Sequence, residues 1–152
     1  MVHQIGLFFH MAGILIAGGG SIGAILAEQQ LWKNVNSNPE HAKAFLPVLQ
    51  KAPKVIMIGL LLFLVSGLMM LYSAHWIFLR NPWFITKLVC FLLLPIRGAM
   101  VAGPTGGLIA RELHSPNPDK NLLRKLQAKM KTFHLIQFLL VAIIIFLIIF
   151  KV

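Results

Sequence analysis

Four long apolar stretches, at about 4–27, 55–79, 83–109 and 132–151, alternate with short polar connections along the chain. Each is long enough to cross a hydrocarbon core of ~30 Å, which takes ~20 helical residues. Backbone polar groups must be satisfied internally in lipid, so the pattern predicts an all-α integral membrane four-helix bundle, with residues 1–152 as a single transmembrane domain. Asn34-Val35-Asn36-Ser37-Asn38-Pro39-Glu40 reads as a turn into a short helix, with Asn38 or Ser37 as its cap before Pro39. Ser115-Pro116-Asn117-Pro118-Asp119 is a second break. After it, Leu122, Leu126, Met130 and Phe133 recur at helical spacing among Lys and Arg, which predicts an amphipathic helix over about 119–131 on the inner membrane surface, running on into the fourth span. Arg80-Asn81-Pro82 makes a tight outer turn, leaving Trp76 and Trp83 as interfacial anchors.

Composition agrees with the pattern. At 58% hydrophobic and 12% charged residues and a mean hydropathy of +0.81, the chain has too little polar surface for a soluble domain of this length. Met1-Val2-His3-Gln4 offers no basic region of the kind that opens a secretory signal, so the first stretch reads as a retained span. Lys33, Lys43, Lys51 and Lys54 fall between spans one and two, and Arg111, Lys120, Arg124, Lys125, Lys129 and Lys131 between spans three and four, so that side holds ten of the 14 basic residues. Arg80 and Lys151 fall on the other side. Basic loops stay on the cytoplasmic side, so both termini are expected on the non-cytoplasmic side, as in a bacterial inner-membrane protein. The net charge of +10 fits attraction to anionic lipid headgroups. Nucleic acid is not an expected partner, because the basic residues flank spans and form no soluble module. The single cysteine, Cys90, excludes an intrachain disulfide and c-type heme attachment.

Within this apolar frame, polar groups mark candidate chemistry, because they are costly in a bilayer. On the first span His3, Gly6, His10, Gly13, Ala17, Gly20, Ala24 and Ala27 alternate by three and four, so they share one helical face with a drift of only ~20° per heptad. Imidazoles at one end and bare backbone below suit a flat, metal-bearing macrocycle, with a neutral imidazole as ligand and Gly6, Gly13 and Gly20 admitting the ring. Heme b is the cofactor this predicts, with His10 as first axial ligand; a buried histidine bonded to a neighbouring helix is the plainer alternative. Chain direction brings His75 of span two and Lys87 of span three to the same outer level, which makes His75 the leading second ligand and metal partner. Both also have plain readings, His75 as an interfacial histidine and Lys87 as a snorkelling lysine. Arg97 follows Pro95 in a span broken by Gly98, Gly103, Pro104, Gly106 and Gly107, and suits an anionic group such as a heme propionate or a lipid headgroup, or else a kink that packs. His134 is expected near the inner boundary, as an anchor or as the ligand of an inner heme.

The segment Asn81-Pro82-Trp83-Phe84-Ile85-Thr86-Lys87-Leu88-Val89-Cys90-Phe91-Leu92-Leu93-Leu94, preceded by Ser66-Gly67-Leu68-Met69-Met70-Leu71, resembles the central hairpin of the HemJ-type protoporphyrinogen oxidase family, and Phe8-Phe9-His10 is similar to that family's early histidine. The related CopD-like group of four-span proteins shares the outline. The resemblance implies that His10 matches the family histidine associated with b-type heme and Lys87 the lysine of its third span, a candidate catalytic residue. The resulting expectation is a b-type heme-binding membrane protein in electron transfer or redox chemistry, exchanging electrons with quinone or a partner protein. One rival is protoporphyrinogen IX oxidation, with porphyrinogen entering from the bilayer. Another is a non-catalytic accessory subunit whose small-residue faces pack against a membrane partner or a second copy.

Overall fold

The computed structural model describes residues 1–150; Lys151 and Val152, where the expected fourth span ends, lie outside the described residues. The fold is all-α, with no strand among the described residues. Helix α1 (Val2–Asn34) is followed by the short α2 (Pro39–Lys43) and by α3 (Leu46–Ser73). A 3₁₀ turn (Ile77–Arg80) leads to α4 (Pro82–Arg97), a π-helical turn (Gly98–Ala102) and α5 (Gly103–His114). Helix α6 (Lys120–Phe150) closes the chain. Four spanning units result, α1, α3, the α4–π–α5 run and α6, each long and apolar enough to cross a membrane. The chain is an integral membrane protein by this architecture, and its surface agrees. The exposed area is 10026 Å², against about 7,700 Å² for a soluble monomer of this mass. The excess is apolar helix face, such as Leu15, Phe138 and Ile149, open to lipid.

The two ends of the bundle are built differently. At one end lie Met1, the α3–α4 turn and the end of α6; we call it the terminal end. The other carries both basic connections, and we call it the basic end. There, Leu31 of α1, Ala42 of α2, Leu46 of α3, Ile109, Ala110 and Leu113 of α5, and Leu123, Leu126 and Met130 of α6 form one buried cluster. Local chemistry sets up each contributor. Asn38 caps α2 by accepting from the His41 N–H at 3.1 Å, and Pro39 fits the first helical position because its missing N–H would be unpaired there anyway. Asp119 caps α6, accepting from the backbone of Asn121 at 2.8 Å and Leu122 at 3.2 Å. Glu112 accepts from the Asp119 N–H at 2.8 Å, which folds the connection back. As a result the apolar stripe of early α6 meets α5. The amphipathic segment expected on the membrane surface buries its stripe against the chain's own core instead, while continuing without a break into the fourth span as expected.

Span two ends sooner than its hydropathy predicts. Trp76 donates to the Leu71 carbonyl at 3.1 Å and His75 to Tyr72 at 3.0 Å, the paired closure of a Schellman motif. His75 (φ 50°) and Trp76 (φ 60°) are left-handed. Glycine usually holds the first of these positions, and its absence hides the stop.

Candidate functional site

Two polar clusters sit inside the apolar bundle, one toward each end. At the terminal end His10 projects from α1 onto α3. Its Nδ1 lies 3.0 Å from the Phe63 carbonyl and 3.2 Å from the Ser66 hydroxyl. A carbonyl only accepts, so Nδ1 carries the hydrogen. Ser66 donates its own hydrogen to the Leu62 carbonyl at 2.7 Å, which leaves its oxygen facing Nδ1–H as a second acceptor. A neutral imidazole fixed in this way holds its lone pair on Nε2, which has no hydrogen-bond partner among the described residues. The ring stacks on Phe63 with centroids 3.7 Å apart, and Phe63 in turn lies 4.8 Å from Phe91 of α4. Gly67 makes the approach possible, since a Cβ there would stand 3.2 Å from the imidazole Cε1.

Lys87 precedes Phe91 by one turn on α4. Its Nζ lies 4.7 Å from the Phe84 ring centre and 5.5 Å from that of Trp83. The side chain thus runs back toward the start of α4, the direction in which helical Cα–Cβ bonds tilt, and it rests on aromatic faces. This is the snorkelling position, with cation–π contacts added.

The glycine face differs from expectation. A Cβ on Gly13 would come within 2.6 Å of the Phe63 nitrogen and 2.8 Å of the Gly59 carbonyl oxygen. One on Gly59 would come within 2.5 Å of the Ala17 nitrogen. Gly6 and Gly20 instead meet side chains, those of Met70 at 2.9 Å and Ile56 at 3.0 Å. Helix α3 therefore fills the face on which a macrocycle was expected to lie. Small residues serve helix–helix approach here, the common use of such seams in membranes. A heme bed on Gly6, Gly13 and Gly20 does not fit this packing.

His75 is exposed in the turn beyond α3. His10 is level with Ser66 and Gly67, and the helical rise from Gly67 to Ser73 is already about 9 Å. The expected His10–His75 ligand pair is thus not brought to a common point. No group of three His, Cys, Asp or Glu side chains gathers as a metal site among the described residues.

At the basic end the Glu28 carboxylate, only 5% exposed, accepts from Trp32 Nε1 at 3.0 Å on one oxygen and meets His134 Nε2 at 2.6 Å on the other. A carboxylate buried this deeply requires partners of this kind, or its desolvation would not be offset. The pair joins the first and last spans, and it engages His134 through Nε2, so this side chain is tied to Glu28 rather than standing free at the interface. One turn further on α6, Gln137 donates to the Leu94 carbonyl at 3.2 Å, next to Pro95, which sits inside α4. Arg97 Nε and Gln137 Oε1 are both buried here without a partner among the described residues. Among the described residues no hydrogen bond or ion pair joins Arg97 to His134, and Gln137 is the α6 side chain that hydrogen-bonds α4.

Three participants escape a reading of the sequence: Phe63 and Ser66, which fix the His10 ring, and Glu28, which binds His134. Glu28 had a usable signal, because Ile25, Glu28, Gln29 and Trp32 fall at helical spacing and only four acidic residues exist in the chain. No family model, curated protein or solved structure matches the chain.

Proposed function

We propose that this protein is a b-type heme-binding integral membrane protein of electron transfer, with His10 as its axial ligand. One observation carries the reading: the Phe63 carbonyl holds the His10 Nδ1 hydrogen and leaves Nε2 free. Metal-ligating histidines are fixed in this way, the second hydrogen bond setting tautomer and ring angle. Ser66 reinforces that bond, Phe63 holds the ring plane and Gly67 clears its space. Bound at Nε2, heme supplies one-electron chemistry at a potential set by its ligands and burial. Lys87, which the family resemblance pairs with His10, is the second candidate for the site, either as ligand or as the residue that handles a porphyrinogen substrate. Quinone or a partner protein is the electron partner in this reading. The basic end faces the cytoplasm, in keeping with the positive-inside rule, and the N-terminus faces the opposite side of a bacterial inner membrane.

The porphyrinogen oxidase reading rests on the resemblance that pairs Lys87 with His10, and it predicts that Lys87→Ala abolishes turnover while heme content survives. The accessory-subunit reading rests on the small residues that α3 leaves open, such as Gly18, Gly19 and Gly23. A reduced-minus-oxidised visible spectrum and a pyridine hemochrome assay on detergent-purified protein test the proposal. The expected result is a b-type spectrum that His10→Ala removes and His75→Ala preserves. A colourless protein after expression with ample heme overturns it.

A further inference from the structure

Away from the His10 site, a recess of about 380 Å³ opens between α1 and α6 at the basic end. Two stripes face each other across it. Ile25, Glu28, Gln29 and Trp32 line it from α1, spaced by three, one and three residues, and Gln127, Lys131 and His134 from α6, spaced by four and three. Both spacings keep the side chains on one helical face. Both oxygens of Glu28 are hydrogen-bonded, to Trp32 and His134, and the side chain is buried behind the opening. Lys131 meets no carboxylate; among the described residues only Lys43 of all the Lys and Arg side chains does, through Glu40 at 2.7 Å. The opening therefore presents one unmatched cation, two side-chain amides and an imidazole whose Nδ1 has no partner among the described residues. It stands at the basic end, beside the apolar faces of α1 and α6.

We propose that this recess holds the phosphate headgroup of an anionic phospholipid, whose acyl chains lie along α1 and α6. The charge and donor set suit a phosphate, and basic recesses between spans are where such headgroups are captured. Lys131 supplies the charge, Gln29 and Gln127 supply amide donors, and Glu28 positions His134 from behind. The inference is independent of heme.

Thermal unfolding of the full chain in detergent, titrated separately with phosphatidylglycerol, phosphatidylcholine and inorganic phosphate, tests it. Phosphatidylglycerol is expected to stabilise at the lowest concentration. Lys131→Gln should weaken that effect about fivefold, the effect of one basic residue at an anionic surface. Lys129→Gln, an exposed change outside the recess, should leave it intact. Both lysines are exposed, so both variants retain the fold. Equal stabilisation by phosphatidylcholine overturns the proposal, as does inorganic phosphate acting as well as the lipid. Equal loss in the Lys129 and Lys131 variants reduces the effect to diffuse surface attraction and overturns it as well.

Discussion

The terminal half of the α1–α3 pair is held by what its residues lack, and the basic end by what its residues carry. Gly13 and Gly59 let backbone meet backbone, and the His10 ring finds its space over Gly67. At the basic end Leu31 and Ile109 are fully enclosed by side chains from five helices. The difference follows the solvent. Lipid is as apolar as leucine, so burying leucine deep in the bilayer gains little, and close contact has to come from small residues. Near the membrane surface water returns, and large apolar side chains again gain from being covered.

Substitutions at each end separate the two modes. Gly59→Ile places a branched side chain where a Cβ alone stands 2.5 Å from the Ala17 nitrogen. It should cost about 3 kcal/mol or more, because backbone cannot yield as a side-chain tip does. Reversible unfolding in mixed micelles measures this, and an unchanged midpoint would mean that α1 and α3 approach less closely. Leu31→Ala should cost about 3 kcal/mol in the same assay, the range for a leucine removed from a closed core. Glu28→Ala strands the Trp32 donor and removes the α1–α6 link, at about 2 kcal/mol; a loss no larger than that of His134→Ala would locate the energy in the pair rather than in either residue. Smaller changes go the other way. Gly18 has open space around its Cβ position, so Gly18→Ala should stabilise α1 by up to about 1 kcal/mol. His75→Gly relieves a left-handed residue and should gain about 0.5 kcal/mol after its entropy cost.

Hydropathy made the spans legible, because a bilayer permits little besides long apolar helices. The small-residue seam was equally visible, yet its occupant was not. A face of Gly6, Gly13 and Gly20 accepts a flat ring or a helix equally well, and the choice depends on Gly59 lying in register on α3. The end of α3 was hidden because His75 takes the place that glycine usually marks. His10 and His134 were legible as anomalies, but their partners Phe63, Ser66 and Glu28 lie 53, 56 and 106 residues away in the chain. Nothing local in the sequence encodes those separations.

The π-helical turn at Gly98–Ala102 sets the angular phase of everything after it. A π turn amounts to one extra residue accommodated within an α-helix. Wound as regular α-helix instead, the same residues would carry the extra one forward, turning each residue beyond by up to about 100° around the axis. Ile109 and Leu113, now enclosed at the basic end, would swing out of the core, and the exposed Leu108 would move toward it. The length of this loosely wound segment thus acts as a gear setting, deciding which stripe of α5 faces the rest of the protein.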